Sequence, residues 1–381
     1  MKIVIAIDSF KGSLPTDVSG AAVREAILSV DPDAAVRVCP LADGGEGFTH
    51  AITSATGGRL VTLTVTGPLG APVEAEYGLL PDGRTAVIEM ATAAGLTLVP
   101  ENERDPLHTT TFGVGELIAH AIREHGCRRF LVGIGGSATN DGGIGMLTAL
   151  GWRVLDERGE SVPDGARGLA LVARVDDSGV SEDVRACRFS VACDVTNPLC
   201  GERGCAAVYG PQKGARAEDI PRMDAGMAHF AAVTARSLPH ADPDAPGAGA
   251  AGGLGFALRT YLGATLTPGV ELILAATDMA GAVRDADVVV TGEGRLDAQT
   301  AMGKAPAGIA ALAKTHGKPV IALSGCLGKG AQACNACGID AYFPILPAPM
   351  TAEEAMEPAR ARRHVADTAE QIFRLIARFL A

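Results

Sequence analysis

Short apolar runs alternate with segments of helical apolar spacing at the start of the chain. Residues 3–7 (IVIAI) predict a β-strand, and residues 18–28 (VSGAAVREAIL) carry apolar positions at the spacing of a helix, which Ser13 or Thr16 is expected to cap. The run AVRVCPLAD, which ends at Asp43, predicts a second strand. A strand, a helix and a strand in succession form the unit from which parallel sheets are built.

The middle of the chain has another pattern. The runs 59–67, 72–80 and 85–91 read as strands, and the breaks Gly67-Pro68 and Pro81-Asp82-Gly83 predict hairpins rather than crossover helices. The strand–helix–strand pattern returns after about residue 280. There, Asp287–Thr291 and Pro319–Leu323 predict strands, Pro306–His316 predicts a helix, and 352–380 predicts one amphipathic helix.

These patterns predict an α/β protein of two domains. Residues 1–58 and 280–381 are expected to form one discontinuous parallel-sheet domain, and residues 59–279 an inserted mixed α/β domain. Connected strands and helices of this kind place ligands at the carboxyl ends of the strands.

Composition narrows the classes of function. A net charge of −11 argues against nucleic acid and against anionic membranes as partners, and no apolar run reaches the roughly 18 residues of a membrane-spanning helix, so a cytoplasmic protein is expected. The 48 glycines are about twice the usual share, which favours tight turns and backbone that approaches a ligand closely. The nine cysteines include one CxxC, Cys334–Cys337, without the second pair of a zinc site, and we expect reduced thiols.

Two glycine-containing loops with charged side chains occur early in the chain. Asp8-Ser9-Phe10-Lys11-Gly12-Ser13 follows the first strand, and its lysine and helix-facing N–H groups favour a phosphate or carboxylate, although the loop could merely cap a helix. Ala42-Asp43-Gly44-Gly45-Glu46-Gly47 places two carboxylates beside glycines, which suits a metal or a hydroxyl group, although acids also favour a helix N-terminus.

Two further loops follow predicted strands. Gly133–Gly143, which contains Gly135, Gly136, Ser137, Asn140 and Asp141, is interpreted as an anion cradle. Its alternatives are a bare turn or a relaxed dinucleotide fingerprint, Gly133-x-Gly135-x-x-Ala138 with Asp156 as the ribose acid. Gly292–Thr300 contains Glu293, Arg295, Asp297 and Gln299, and its arginine can fork onto a carboxylate or phosphate.

Three weaker signals complete the survey. Asp194-Val-Thr-Asn197-Pro198 follows the predicted strand FSVAC, whereas Gly247–Gly252 matches GxGxxG without a preceding strand. His108 could act chemically, but a solvated or structurally satisfied histidine is the plainer interpretation. Acid-rich loops, cationic side chains and glycine cradles without an evident covalent nucleophile are the equipment of phosphoryl transfer.

The loops, in their order, resemble the bacterial glycerate kinases of the type I family, grouped with the glyoxylate and galactarate pathways. The resemblance rests on segments spread over nearly the whole chain: 8–13, 42–47, 109–117, 133–143, 192–199, 210–214, 247–255 and 292–297 with Gln299. It implies ATP-dependent phosphorylation of D-glycerate with Mg²⁺, and the 2-hydroxyl is the expected position of transfer. It also implies a Rossmann/flavodoxin-like domain and a second domain likened to a restriction-enzyme fold, with the active site in the cleft between them.

Residue types then suggest roles within that activity. We expect Lys11 and Arg295 to clamp phosphate and the glycerate carboxylate, Asp194 to accept the hydroxyl proton, and Asp8 to serve as base or metal ligand. The expected metal ligands are Asp43, Glu46 and Asp297. The expected binding residues are Ser9, Ser13, Gly44, Gly45, Gly135, Gly136, Ser137, Asn140, Asp141, Asn197, Glu293 and Gln299.

Alternatives stay open at this point. Phosphorylation of the 3-hydroxyl, an NAD-dependent oxidoreductase built on Gly133–Ala138, and a non-catalytic sugar-acid binding protein each fit part of the pattern. The C-terminal amphipathic helix could pack on its own domain or on the second copy of a homodimer.

Overall fold

A computed structural model describes residues 1–42 and 44–380, with Leu380 described by its backbone alone. The strands are β1 (Lys2–Ile7), β2 (Ala35–Val38), β3 (Arg59–Thr66), β4 (Pro72–Leu79), β5 (Thr85–Glu89), β6 (Arg129–Gly133), β7 (Arg153–Leu155), β8 (Arg174–Asp176), β9 (Arg188–Ala192), β10 (Thr265–Thr267), β11 (Val288–Leu296), β12 (Val320–Leu327) and β13 (Ala341–Pro344). The helices are α1 (Thr16–Val30), α2 (Phe48–Thr56), α3 (Ala91–Ala94), α4 (Phe112–His125), α5 (Ile144–Ala149), α6 (Ala166–Leu169), α7 (Glu182–Arg185), α8 (Cys205–Tyr209), α9 (Ile220–Ser237), α10 (Leu254–Leu262), α11 (Gly269–Ala276), α12 (Met279–Asp285), α13 (Ala305–Thr315), α14 (Ala333–Ala336), α15 (Ala352–Met356) and α16 (Pro358–Leu380). Short 3-10 turns lie at Leu96–Leu98, Glu101–Glu103, Pro211–Lys213, Ala250–Gly253 and Thr300–Met302.

The chain divides into two compact units. Unit 1 comprises Met1–Asp43, Ser54–Thr56 and Gly269–Ala381, and unit 2 comprises Gly44–Thr53 and Gly57–Pro268. Each unit has its own sheet and its own apolar core. The expected α/β fold, with a parallel sheet made from both ends of the chain, is confirmed.

Unit 1 contains a five-stranded parallel sheet with the order β13-β12-β11-β1-β2. Numbered by their appearance within this unit, the strands read 2-1-3-4-5 from the β2 edge, which is the flavodoxin-like order. β1 is buried from Ile3 to Ile7 because helices cover both faces of a parallel sheet. This order reverses between β1 and β11, and ligands bind beyond the carboxyl ends of the strands at such a point.

The C-terminal helix packs on its own unit. Ala361, Val365, Ala369 and Phe373 recur at helical spacing along α16, are buried, and join the core that α1 also lines. The single helix predicted over 352–380 is wrong, because Glu357 adopts an extended conformation between α15 and α16. Pro358 then begins α16, where a residue without an N–H group is tolerated.

Unit 2 contains a six-stranded mixed sheet with the order β10-β9-β6-β5-β4-β3. β3, β4 and β5 pair antiparallel, as the hairpin signals predicted, and β5, β6, β9 and β10 run parallel. Phe130 on β6 stacks on Phe189 of β9 with ring centroids 4.9 Å apart. β7 and β8 form a separate antiparallel pair.

Two strand boundaries differ from the sequence expectations. β2 ends at Val38, because Pro40 has no N–H group to continue the ladder, although the amides of Cys39 and Leu41 still donate to β1. β11 runs to Leu296, so half of the predicted Gly292–Thr300 loop is strand. A Cβ on Gly292 would lie 2.2 Å from the carbonyl oxygen of Leu323, so this glycine serves close strand packing rather than a turn.

No helix within the described part of the chain combines the length and the apolar character needed to cross a bilayer.

Candidate functional site

The first candidate site lies at the strand-order reversal of unit 1. Ile7 is paired with Gly292 in register, and the amide of Asp8 donates to the carbonyl of Gly292 at 2.9 Å. The chain that leaves β1 and the outer half of β11 therefore lie side by side. Polar residues on either segment share one end of the sheet, where ligands of this fold bind.

A cavity of about 650 Å³ opens at this end of the sheet. The sequence-predicted residues that line it are Asp8, Ser9, Lys11, Ser13, Glu293, Arg295, Asp297 and Gln299. They come from two segments nearly three hundred positions apart in the chain, which β1–β11 pairing brings together. Lys304, Met350 and Met356 also line the cavity, and the sequence reasoning did not select them as site residues.

The loop after β1 is shaped by backbone hydrogen bonds. The amides of Ser13 and Leu14 both donate to the carbonyl of Phe10, and Gly12 adopts a φ of +76°, which favours glycine. The predicted side-chain cap of α1 is wrong, since Pro15 occupies the N-cap position and Thr16 instead donates its hydroxyl to the carbonyl of Ile7. The hydroxyl of Ser13 is buried and has no hydrogen-bond partner among the described residues.

Glu293 is a buried acid beside two lysines. Burial raises the pKa of its carboxyl, while a hydrogen bond from Thr300 and the positive charges of Lys304 and Lys11 act in the opposite direction. Lys11 and Lys304 also line the cavity beside Glu293, so cationic side chains lie at this end of β11. An anion bound here would meet positive charge from two separate chain segments.

Arg295 and Asp297 form an ion pair. Their Nε and Oδ2 atoms are 3.4 Å apart, and 64% of the Arg295 side chain is exposed. Asp297 also accepts the amide of Gln299 at 2.8 Å, so its carboxylate is engaged with protein donors. Since surface pairs of this kind are worth only about 0–1 kcal/mol, an incoming phosphate can compete for the guanidinium.

The second candidate site lies along the carboxyl edge of the unit 2 sheet. The register aligns Glu89 with Gly133 and Gly133 with Ala192, so β5, β6 and β9 end together. Asp194 follows two residues beyond Ala192 and is exposed. The expected base and the expected anion loop are thus attached to neighbouring strand ends.

Glycines bring the loop 44–47 onto this edge. The amide of Gly135 donates to the carbonyl of Gly44 at 3.2 Å. A Cβ on Gly44 would lie 2.6 Å from that of Ala192, and a Cβ on Gly135 would lie 2.7 Å from the Cα of Gly45. These approaches require residues without side chains, and they hold the exposed Glu46 at the edge of the sheet. Asp43 lies outside the described residues.

Glu89 is a site residue that the sequence reasoning missed. It is buried, and its carboxylate accepts the amide of Gly47 at 3.0 Å. Burial raises its pKa to about 7, and the negative charge of Glu46 adds to this effect while backbone N–H groups at the start of α2 oppose it. The sequence feature that could have identified Glu89 is an acidic residue at the end of the predicted strand TAVIE, which the structure shows to be buried throughout.

Many polar groups of the Gly133–Gly143 loop form hydrogen bonds with other protein groups. Asp141 is fully buried and accepts hydrogen bonds from Thr111, Gly143 and Gly145. Burial raises the pKa of Asp141, and these donors oppose the shift. The backbone N–H groups of Gly135, Ala138, Gly142 and Gly143 already donate to protein oxygens. The loop therefore offers an anion fewer backbone donors than its sequence suggests.

Lys213 is the second missed residue. It is buried, and its ammonium donates to the hydroxyl of Ser137 at 2.7 Å and to the carbonyl of Thr139 at 2.6 Å. Burial lowers its pKa to about 8. It lies in the Gly210–Gly214 segment of the resemblance, but only the fold reveals its contacts with the loop.

Two asparagines at this edge differ in their partners. Asn197 accepts the hydroxyl of Tyr209 at 2.6 Å and donates to the carbonyl of Arg203 at 2.8 Å, so its amide is used within the protein. Asn140 is fully buried, and neither its amide oxygen nor its amide nitrogen has a partner among the described residues. Such groups are costly to bury, and they mark a place for a ligand or water.

The dinucleotide interpretation of Gly133–Ala138 is wrong. The fingerprint requires a helix that starts at the loop, but α5 begins only at Ile144. Asp156 follows β7 in the separate two-stranded sheet, where it accepts the amides of Arg158 and Glu160 in a turn. Gly252 packs against the carbonyl of Thr139, so the second GxGxxG match supports this loop instead of binding phosphate.

The structure supports neither His108 as a reactive residue nor a preformed metal cluster among the described residues. His108 is exposed and bonds Asp105 at 2.8 Å. Among the residues that the structure describes, no group of three or more His, Cys, Asp or Glu side chains could hold a metal ion. Of the expected metal ligands, Asp297 belongs to unit 1 and Glu46 to unit 2.

Comparisons with known proteins agree on a family. The model of the glycerate kinase family matches residues 3–377. A glycerate kinase of Bacillus subtilis (strain 168) is 48% identical over 377 residues, which cover 99% of this chain and 97% of that protein. A glycerate 2-kinase of Escherichia coli (strain K12) is 45% identical over 374 residues, with coverage of 97% and 98%.

A solved structure extends the likeness to three dimensions. The crystal structure of a Salmonella typhimurium LT2 protein assigned as a glycerate kinase 2 superposes with a TM-score of 0.90 at 46% identity. The match covers 100% of this chain and 99% of that one. The family match over residues 3–377, these relatives and this structural likeness show that the chain belongs to the glycerate kinase family and is an enzyme of the kinase class.

Proposed function

We propose that this chain transfers the γ-phosphoryl group of ATP to the 2-hydroxyl of D-glycerate, which gives 2-phospho-D-glycerate and ADP. The observation that carries the proposal is the family match over residues 3–377, together with a relative named glycerate 2-kinase that covers 97% of the chain. The placement of Lys11, Arg295 and Lys304 around one cavity supports phosphate binding in particular.

In the proposed reaction, the 2-hydroxyl oxygen forms a bond to the γ-phosphorus, and the bond from that phosphorus to the β–γ bridging oxygen breaks. Asp194 accepts the hydroxyl proton, and Lys11 and Arg295 offset the charge on the phosphoryl oxygens and the acid's carboxylate. Asp8 is retained as an alternative base or metal ligand. The exposure of Asp194 at the end of β9 is compatible with contact with a small substrate.

Mg²⁺ belongs to the proposal. The residues present fit an ion held chiefly by ATP phosphates, since Mg²⁺ keeps several waters and needs only one or two carboxylates. Asp297 beside the unit 1 cavity, the exposed Glu46, and Asp43 compete as the carboxylates proposed to hold it. When bound, the ion would neutralise charge on the phosphate oxygens.

The test is a coupled assay of ADP release over a panel of small hydroxy acids. We expect turnover with D-glycerate, and we expect Lys11→Ala and Asp194→Asn each to lower kcat/KM about tenfold to a thousandfold. Lys2→Ala and Asp164→Asn change exposed residues elsewhere and should leave kcat/KM unchanged. Near-normal kinetics of a folded Lys11 or Asp194 variant would remove that residue from the mechanism.

Phosphorus NMR of the product decides the position of transfer. A phosphomonoester on the secondary carbon supports the 2-hydroxyl, whereas a product phosphorylated on the primary carbon would replace this assignment with 3-phosphorylation.

A further inference from the structure

Two chemically distinct groups of side chains line the unit 1 cavity. Lys11, Arg295 and Lys304 contribute cationic side chains to it. Leu346, Met350 and Met356 contribute apolar ones. A ligand that contacts both groups therefore needs an anionic portion joined to an apolar portion.

We propose that this cavity binds the nucleotide, with the phosphates beside Lys11 and Lys304 and the purine against Met350 and Met356. The inference rests on the proposed function and adds which unit holds ATP and in what orientation. The acceptor acid is then held by residues outside the apolar half of this cavity.

Size favours a nucleotide. The cavity volume of about 650 Å³ lies within the range of roughly 300–1,000 Å³ that holds drug-sized ligands. A nucleoside phosphate belongs to that size class, whereas a three-carbon acid would leave most of the space to water. An apolar wall would also bring no benefit to a small, highly polar acid.

The apolar wall is positioned by its own local structure. Thr351 and Glu354 form a reciprocal capping box at the start of α15, which fixes the segment between Met350 and Met356. A Cβ on Gly12 would lie 2.8 Å from the Cε of Met356, so this wall packs directly on the loop that carries Lys11. Methionine thioethers are polarisable and make favourable contacts with aromatic rings, which suits a purine face.

The polar side has donors in the right place for phosphates. Lys11 and Lys304 both line the cavity, and the positive charge of each acts to lower the pKa of the Glu293 carboxyl. The hydroxyl of Ser13 also lines the cavity and has no partner among the described residues. By contrast, the Gly133–Gly143 loop of unit 2 has several of its N–H groups committed to protein oxygens.

Cys326 supplies a built-in reporter of occupancy. It lines the cavity and is the exposed thiol among the cysteines of the described chain, the others being buried or partly buried. We therefore measure the rate at which a thiol reagent modifies Cys326, with and without ligands, and we identify the modified residue by peptide mass. Cys326→Ser should abolish the fast phase, whereas Cys337→Ser should retain it.

The expected result is that saturating ADP slows modification of Cys326 at least about fivefold, because a bound ligand blocks access to the thiol, and that saturating D-glycerate slows it less than ADP does, since the smaller acid reaches only the cationic residues of the cavity. Saturation by each ligand is set from its constant in the turnover assay. Protection by D-glycerate that equals or exceeds the protection by ADP, or no protection by saturating ADP, would overturn the assignment. Turnover measured on the same preparation separates the two claims: a protein that turns over but is not protected by ADP loses only the assignment, and a folded protein without turnover loses both.

A charge placed in the apolar wall gives an independent test. Met350→Glu should raise KM for ATP at least about tenfold while KM for D-glycerate changes less than about twofold, since the carboxylate meets the buried purine and not the acid. Met302→Glu makes the same change at a methionine that is 82% exposed and should leave both constants unchanged. A larger effect of Met350→Glu on D-glycerate than on ATP would contradict the proposed orientation.

Discussion

The ammonium of Lys213 donates a 2.7 Å hydrogen bond to the hydroxyl of Ser137, and both side chains are buried. The same ammonium bonds the carbonyl of Thr139. One cation from a 3-10 turn thus joins two points of a loop more than seventy residues earlier in the chain. We expect the shape of the Gly133–Gly143 loop to depend on this contact.

Lys213→Met should therefore destabilise unit 2. Each of the two acceptors would lose its donor while it stays buried, at a cost of about 1–3 kcal/mol per unsatisfied group. Urea unfolding of the variant and of Lys2→Met, which replaces an exposed lysine, measures the difference. Equal stabilities of the two variants would show that the Lys213 contacts contribute nothing.

The same lysine makes stability depend on pH in the alkaline range. Burial lowers its pKa in the folded protein from 10.5 to about 8. Between these two values the unfolded chain binds more protons, so the contribution of this group to the free energy of unfolding rises with pH, by at most about 1.4 kcal/mol per unit. The difference in unfolding free energy between the natural protein and Lys213→Met should rise from pH 8 to pH 10, and a flat difference would refute the shifted pKa.

We expect Glu89 to make the protein less stable as the pH rises towards neutrality, which is opposite to the effect of Lys213. Burial raises its pKa from 4.5 to about 7, so the folded protein binds more protons than the unfolded chain between these values, and stability falls as pH rises through this range. Glu89→Gln removes the titration, and its unfolding free energy relative to the natural protein should increase from pH 5 to pH 7. Glu101→Gln, at an exposed position, should show no such change. A relative stability of Glu89→Gln that stays constant over this range would argue against the raised pKa.

Asn140 and Asn197 should respond differently to the same substitution. Asn140→Leu removes a buried amide without partners and should leave the unfolding free energy within about 1 kcal/mol, or raise it, while kcat/KM falls if the amide serves a ligand. Asn197→Leu removes the hydrogen bonds to Tyr209 and Arg203 and should cost about 0.5–1.5 kcal/mol for each, or about 1–3 kcal/mol together. Thermal unfolding of both variants tests the contrast, and equal losses would mean that Asn140 has partners of comparable value.

Glycine contacts at the edge of the unit 2 sheet predict a steric effect. Gly135→Ala should cost about 1–3 kcal/mol, because its Cβ would lie 2.7 Å from the Cα of Gly45 and push the 44–47 loop away. Gly226→Ala in α9 meets only contacts of 3.4 Å or more and should be neutral or stabilising by up to about 1 kcal/mol. Denaturant midpoints of the two variants measure the difference, and a harmless Gly135→Ala would show that the loop can shift.

Local pattern was sufficient for much of the fold. The apolar strand at residues 3–7, the hairpins of β3, β4 and β5, and the return of the α/β pattern in the last third all depend on periodicity and turn chemistry within short windows. The strand predicted at Asp287–Thr291 ends earlier than β11, because the sequence does not show whether Gly292 forms a turn or a close approach between strands. The position of Leu323 in the fold shows that Gly292 belongs to the strand.

By itself, then, the sequence determined the α/β class, the family resemblance and the polar residues that follow β1, β6 and β9, because strand ends and their loops are adjacent in the chain. Tertiary structure alone decided that Lys11 and Arg295 line one cavity, that Glu89 anchors the 44–47 loop, that Lys213 supports Ser137, and that Asn140 rather than Asn197 keeps an unused amide. Burial and pairing between distant segments are properties of the packed chain. No local window of sequence contains the partner that fixes a side chain's charge state or its freedom to bind a ligand.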